Sequence, residues 1–310
     1  MEQALRFVFY NDRGLRAGWR LAIFLLIFAC LTAAFLLASR LISGNRPLGV
    51  SSLTAGLVIL NDGPTFLLLL FASWIMSRIE RRPLGAYGLP VHDAPAISRF
   101  ISGYIFWGFI PLTVCLLALR VFGAFDFGST ALHGGEILKW GAAWFVAFVL
   151  VGLSEEYLLR GYLLYTLADG IGFWPATIVL GVLFGIGHSG NPGETRIGLI
   201  ATVVFAIFAC VTLRLTGNLW LAVGAHAGWD WGQSFFYGVP DSGLTAKGHF
   251  LNPSFRGPVW LTGGTVGPEG SVVVLIVWSG LMLVFYLVHR NRKQPALIIE
   301  PGTAPPPQAL

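Results

Sequence analysis

The sequence predicts an all-α fold, a polytopic membrane helix bundle of about eight transmembrane helices. Composition and one repeated pattern predict it. Of the 310 residues, 55% are hydrophobic and only 11% charged, and the mean hydropathy is +0.72. A soluble globule of this size needs more polar surface than that to coat itself. The pattern is a series of apolar runs close to the ~20 residues that a helix rising 1.5 Å per residue needs to cross hydrocarbon.

The runs fall near 19–38, 53–77, 100–122, 137–165, 174–188, 197–214, 218–237 and 271–289. The first follows basic residues and ends in small ones, but it is longer than the usual ~7 to 15-residue signal-peptide core, so a retained helix is expected. The second contains Asn61-Asp62-Gly63-Pro64. Pro64 lacks a donor and clashes with the preceding turn, so it is expected to kink or break that helix. Asp62 beside it reads as a cap or kink stabiliser, with substrate gating as the sharper alternative. After the second run, Arg78 to Pro95 combines a basic cluster with the breakers Pro83, Gly85, Gly88 and Pro90, a connection on one membrane face. Gly238 to Gly270 is a long Gly- and Pro-containing loop, either functional or a flexible tether. The proline-rich tail from Pro301 to Leu310 is expected to be disordered.

The chain therefore divides into an N-terminal segment (1–18), N-terminal helices with their basic connection (19–136), helices bearing the ionisable motifs (137–237), a loop with the last helix (238–289) and a tail (290–310). No internal repeat is evident, which weakens any inverted-repeat transporter reading.

Lys and Arg are retained preferentially on the cytoplasmic side. With the N-terminus inside, twelve of them fall on inner segments: Arg6, Arg13, Arg16, Arg20, Arg78, Arg81, Arg82, Arg99, Arg214, Arg290, Arg292 and Lys293. Seven fall outside: Arg40, Arg46, Arg120, Lys139, Arg196, Lys247 and Arg256. Both termini are thus expected in the cytoplasm, and a bacterial inner membrane is the expected setting. The net charge of +5 gathers at helix ends where headgroups lie, so membrane lipid is the expected partner and nucleic acid is not. Cys30, Cys115 and Cys210 each stand alone in an apolar run, as small core residues rather than metal ligands or a disulfide pair.

Three apolar segments carry ionisable groups: Ser154-Glu155-Glu156-Tyr157-Leu158-Leu159-Arg160, Phe184 to His188, and His226 to Asp230. An ionisable side chain in hydrocarbon costs roughly 2.5 to 3.5 kcal/mol on insertion scales, so each asks for a function and a partner. Residues four apart share a helix face, which pairs Glu156 with Arg160, Phe184 with His188 and His226 with Asp230. Three helices can then aim at one cavity. Glu155 lies about 100° around the helix from Glu156, so the two carboxylates should have separate roles. Arg160 would neutralise and position Glu156, leaving Glu155 as a general base. His188 opens into the turn formers Ser189-Gly190-Asn191-Pro192-Gly193, near a helix end where water can enter. His226 with Asp230 suits an Asp-oriented imidazole or a donor to a developing oxyanion. Trp229 and Trp231 read as interfacial aromatics. Gly185 to Gly190 formally fits a dinucleotide fingerprint, but it follows a membrane helix with no βαβ unit around it.

Taken together, these motifs resemble the CPBP family of intramembrane proteases, the Abi or CAAX prenyl endopeptidase family. The likeness is strong over 150–235 and weaker over the whole layout. It rests on Glu155, Glu156 and Arg160, on Phe184 and His188, and on His226 and Asp230, with Glu80-Arg81-Arg82-Pro83-Leu84 and Tyr87-Gly88-Leu89 as an upstream echo. The resemblance implies a conical, water-accessible cavity open toward the cytoplasm. In it Glu155 and His188 would activate water, while His226 and Asp230 would stabilise the tetrahedral oxyanion. Asp230 stands where eukaryotic members carry Asn; an ionised Asp cannot donate to an oxyanion, so orienting His226, or acting while protonated, suits it better. Zn2+ held by Glu155, His188 and His226 and a metal-free glutamate-type reaction both remain open, although the helical zincin pattern is absent. The implied partner is a peptide or protein substrate, membrane-associated or lipidated. The competing expectations are an ion- or proton-coupled transporter, since Glu, His and Asp also build relays, and a non-proteolytic bacteriocin-immunity or scaffold protein.

Overall fold

A computed structural model of the chain describes residues 8–11, 14–43, 53–90 and 95–291. The expected tail at 301–310, nearly all of 290–310, and Arg6, Arg13, Arg46, Arg292 and Lys293 lie outside these residues.

A two-residue hairpin, β1 (Tyr10–Asn11) with β2 (Gly14–Leu15), precedes helix α1 (Ala17–Ser43). Next come α2 (Ala55–Glu80), α3 (Ala96–Val121), α4 (Gly135–Ile171) and α5 (Phe173–Gly187, followed by a 3-10 turn over His188–Gly190). Then follow α6 (Arg196–Thr216), α7 (Trp220–Asp230) and α8 (Val272–His289). All but α7 are long and apolar enough to cross a membrane, so the chain is a multi-pass helical bundle. The run near 218–237 forms α7 and a π-helical extension, Trp231–Phe236. Every residue of α7 from Leu221 to Asp230 is buried. It is the short central strut of the bundle rather than an eighth long span, and its backbone needs no lipid contact.

Four glycines seat α7 against α3. A Cβ at Gly103 would lie 2.2 Å from the Leu221 carbonyl oxygen, and one at Gly108 2.3 Å from that of Ala225. In return, a Cβ at Gly224 would lie 2.2 Å from the Phe100 oxygen, and one at Gly228 2.1 Å from the Tyr104 oxygen. Gly224 and Gly228 make a small-xxx-small pair, the spacing that lets two helix backbones touch in lipid. His226 sits between them.

Pro64 does not break α2, which runs unbroken from Ala55 to Glu80. The local polar groups are absorbed instead: Thr65 Oγ1 donates to the Asn61 carbonyl (2.7 Å), and Asp62 Oδ1 accepts from Ser154 Oγ on α4 (2.7 Å). Asp62 is therefore a brace between α2 and the turn that carries Glu155. Of the cysteines, Cys115 and Cys210 are buried, whereas Cys30 is exposed on α1.

The bundle has two distinct ends. At one, Arg20 of α1 pairs with Glu80 of α2 (3.2 Å) and with Asp169 of α4. The Tyr87 and Tyr162 hydroxyls also donate to Glu80. The Arg214 guanidinium lies 4.8 Å over the Phe173 ring at this end, and Leu219 N–H donates to the Gly88 carbonyl. At the other end Gly238 to Gly270 folds down as a cap rather than a tether. Strand β4 (Leu251–Phe255) pairs antiparallel with β3 (Phe125–Thr130), Lys247 N–H donates to Leu53, and Trp144 Nε1 donates to the Lys247 carbonyl (3.0 Å).

Candidate active site

Glu155, Glu156 and Arg160 come from α4, which changes to a π-helical turn over Leu159–Leu163, and Gly161 within that turn leaves the helical range (ψ −129°). Such bulges recur at functional sites because they redirect side chains without ending a helix. Arg160 donates from Nη1 to Glu156 Oε1 (3.2 Å), the two side chains being 1% and 0% exposed. The same oxygen, Glu156 Oε1, accepts from His226 Nδ1 at 2.9 Å. Arg160 also lies 4.9 Å over the Phe184 ring, which joins the first motif to the second.

A carboxylate oxygen only accepts, so His226 carries its Nδ1 proton toward Glu156, and its Nε2 is the nitrogen left for chemistry. Around Nε2 stand Asp230 Oδ2 at 3.5 Å and Glu155 Oε2 at 3.7 Å. The two glutamates thus address opposite nitrogens of one imidazole: Glu156 anchors the ring from behind, and Glu155, about a third exposed, faces its working edge. The expected pairing of His226 with Asp230 is present at Nε2, and a second carboxylate, Glu156, holds the ring at Nδ1.

His188, at the end of α5, has Nδ1 2.8 Å from the Phe184 carbonyl. A carbonyl cannot donate, so this proton too is on Nδ1, leaving Nε2 as an acceptor. His188 lines one cavity with His226, Asp230 and Glu269, walled by Phe184, Phe205, Trp229 and Trp278. Trp229 is buried and packs on Trp278 at a centroid distance of 5.0 Å, so it is a wall of the cavity and not an interfacial anchor. Trp231 donates from Nε1 to the Gly141 carbonyl (2.9 Å).

The cap supplies two acids that the apolar motifs do not announce. Glu269 lines the cavity and accepts from Ser242 N–H (3.0 Å); buried Asp241 accepts from Ser234 Oγ (2.7 Å). Burial first, and Asp241's charge second, push the Glu269 carboxyl up to about 8. Burial, opposed by the Ser234 hydrogen bond, pushes Asp241 up to about 6. Their only sequence signal is acid within a Gly-rich loop, which has no spacing to read.

Residues 138–232 match the family model of Rce1-like type II CAAX prenyl endopeptidases. The matched stretch begins in α4 and ends in the extension of α7, so it holds Glu155, Glu156, Arg160, His188, His226 and Asp230. The three motifs that carry the resemblance all lie within this Rce1-like segment. A comparison with curated proteins gave no match. Among the described residues no group of three or more His, Cys, Asp or Glu side chains is placed to hold a metal ion.

Proposed function

We propose that this protein is an intramembrane endopeptidase that hydrolyses a peptide bond of a membrane-associated or lipidated protein, using water activated by Glu155. The observation that carries it is His226, anchored at Nδ1 by the Glu156–Arg160 pair and presenting Nε2 to Glu155 and Asp230. Oε2 of Glu155 has no hydrogen-bond partner and is 3.7 Å from that nitrogen, a separation that suits a water held between base and imidazole.

In the reaction the water oxygen attacks the scissile carbonyl carbon as its proton passes to Glu155, with the His188 Nε2 lone pair as a second acceptor for the water. The tetrahedral oxyanion takes a hydrogen bond from protonated His226 Nε2, whose charge Asp230 balances. Collapse breaks the C–N bond, and Glu155 returns its proton to the departing amine, leaving a carboxylic acid and an amine. The Glu156–Arg160 pair touches no substrate; it fixes the tautomer and angle of His226, as outer-shell carboxylates do for metal-site histidines. Phe205, Trp229 and Trp278 offer an apolar wall for a membrane-embedded or lipid-bearing segment.

The test is cleavage of prenylated and transmembrane reporter peptides by purified protein and by Glu155→Ala, His188→Ala and His226→Ala. The expected result is cleavage by the parent and loss in all three variants with unfolding temperature retained. Cleavage that survives Glu155→Ala overturns the assignment.

A further inference from the structure

The upstream segment Glu80-Arg81-Arg82-Pro83-Leu84 with Tyr87-Gly88-Leu89 lies outside the cavity lining and takes no part in the reaction as written. Its fold gives it a task. Helix α2 ends at Glu80, and Arg81 takes a left-handed conformation (φ 54°, ψ 42°) that turns the chain back through a 3-10 turn over Leu84–Tyr87. The reversal brings Tyr87 to Glu80, so two hydroxyls and a guanidinium converge on one carboxylate whose side chain is 6% exposed. Oε2 accepts from Tyr87 Oη (3.2 Å) and from Arg20 Nη1 (3.2 Å), and Oε1 accepts from Tyr162 Oη. Arg82 Nε stands 4.0 Å from the same carboxylate and Arg20 also pairs with Asp169, so two guanidiniums face two acids. The segment meets the His226 helix as well: the Gly88 carbonyl accepts from Leu219 N–H (2.9 Å) at the start of α7.

Tyr162 matters because of where it stands in α4. It lies inside the π-helical turn Leu159–Leu163, just after Gly161, whose ψ of −129° leaves the helical range, and Arg160 lies just before that glycine. The turn sends the two side chains to different partners. Arg160 reaches Glu156 and the Phe184 ring. Tyr162 reaches Glu80, stacked on Phe24 at 4.6 Å and edge-on to Tyr87 at 5.0 Å. A π-helical turn is a regular helix with one residue inserted. Moving the insertion along by one position turns the residue it passes by about 100°, and for Arg160 that rotation takes the guanidinium off Glu156. Resting on the protease reading, we infer that Tyr162 and Glu80 are positioning residues for the reaction: their hydrogen bond fixes where the π-helical turn falls, which aims Arg160 at Glu156 and so holds His226 by its Nδ1. Neither side chain lines the cavity, and both act through Arg160.

The test pairs two deletions at one carboxylate. Tyr162→Phe and Tyr87→Phe each remove a hydroxyl from Glu80 and keep the ring, but only the first belongs to the turn that bears Arg160. Reporter cleavage is measured as kcat and KM. The His226 ring is followed separately by nitrogen NMR of histidine-labelled protein in detergent, with His226→Ala locating its signals. Tyr162→Phe is expected to lower kcat by about ten- to a hundredfold at unchanged KM, as a displacement of roughly 1 Å at a reacting group does, and to shift the His226 signals. Tyr87→Phe should do neither. Equal losses in both variants, or parental kcat and His226 signals in Tyr162→Phe, overturn the inference. Glu80→Gln with and without Tyr162→Phe is the second measurement. If the two side chains act through one bond, the double variant is no slower than Glu80→Gln alone, whereas additive losses overturn the inference. Should Glu80→Gln lose its unfolding transition, the two tyrosine variants decide by themselves. If the parent cleaves no reporter and the His226 signals still move in Tyr162→Phe alone of the two, the protease reading fails and the positioning of His226 stands.

Discussion

Replacing Gly228 by alanine tests how closely the site depends on one helix crossing. The added Cβ would lie 2.1 Å from the Tyr104 carbonyl oxygen and 2.8 Å from its Cα, both backbone atoms that no rotamer change can move. Relief requires α7 and α3 to part by about 1 Å, and a displacement of that size at a reacting group costs about a hundredfold in rate. Overpacking of this kind destabilises by ~1–3 kcal/mol. The displaced helix carries both His226 and Asp230, so the 2.9 Å bond to Glu156 should lengthen. The assay is reporter cleavage together with thermal unfolding in detergent. Gly280→Ala on α8, where a Cβ meets nothing within 4 Å, serves as the control. If Gly228→Ala keeps parental rate and unfolding temperature, the close-approach argument is wrong.

Other outcomes follow from the same geometry. Glu156→Gln leaves Arg160 charged and without its buried counter-ion, a defect that costs about 3–5 kcal/mol, so unfolding temperature and cleavage should fall together. Glu155→Gln, on a side chain 34% exposed, should remove cleavage by about 10²–10⁴-fold with little change in unfolding temperature. Cleavage should persist in chelator, as the metal-free Glu155 route proposed above requires; loss of cleavage in chelator would refute that route. Glu269 binds its proton more tightly folded, with a value near 8, than the ~4.3 of an unfolded Glu. Its contribution is thus greatest in acid, declines as pH rises between those two values, and is flat above. Unfolding temperature against pH should lose that slope in Glu269→Gln.

Much of the site could be read from the chain because its parts are local. Glu156 with Arg160 and His226 with Asp230 are pairs one helical turn apart, so periodicity alone puts each pair on one face. What links the pairs is not local. That Glu156 holds His226 at Nδ1 depends on the α4–α7 contact, where a Cβ at Gly152 would lie 2.9 Å from the Val223 carbonyl oxygen. Glu269 enters the cavity only because the cap folds back through β3 and β4, a pairing across more than a hundred residues with no hydrophobic run to mark it. Hydropathy likewise weighs apolar content and not surroundings. It cannot distinguish α7, sheltered on all sides, from the lipid-facing α1.

The three π-helical turns, Gly103–Phe109, Leu159–Leu163 and Trp231–Phe236, fall in α3, α4 and the extension of α7, the helices that pack together around His226. Each holds one residue more than a regular helix would, so the chain can be regarded as carrying three tolerated insertions at the level of its chemistry. Excising a single residue from 231–236 would restore ordinary winding and turn the residues inside the turn by about 100°. That rotation would take Gln233 and Ser234 off their hydrogen bonds to the Pro240 carbonyl and to Asp241, two ties that hold the cap over the cavity. Length variation among related chains should therefore be tolerated in the connections and forbidden within these turns.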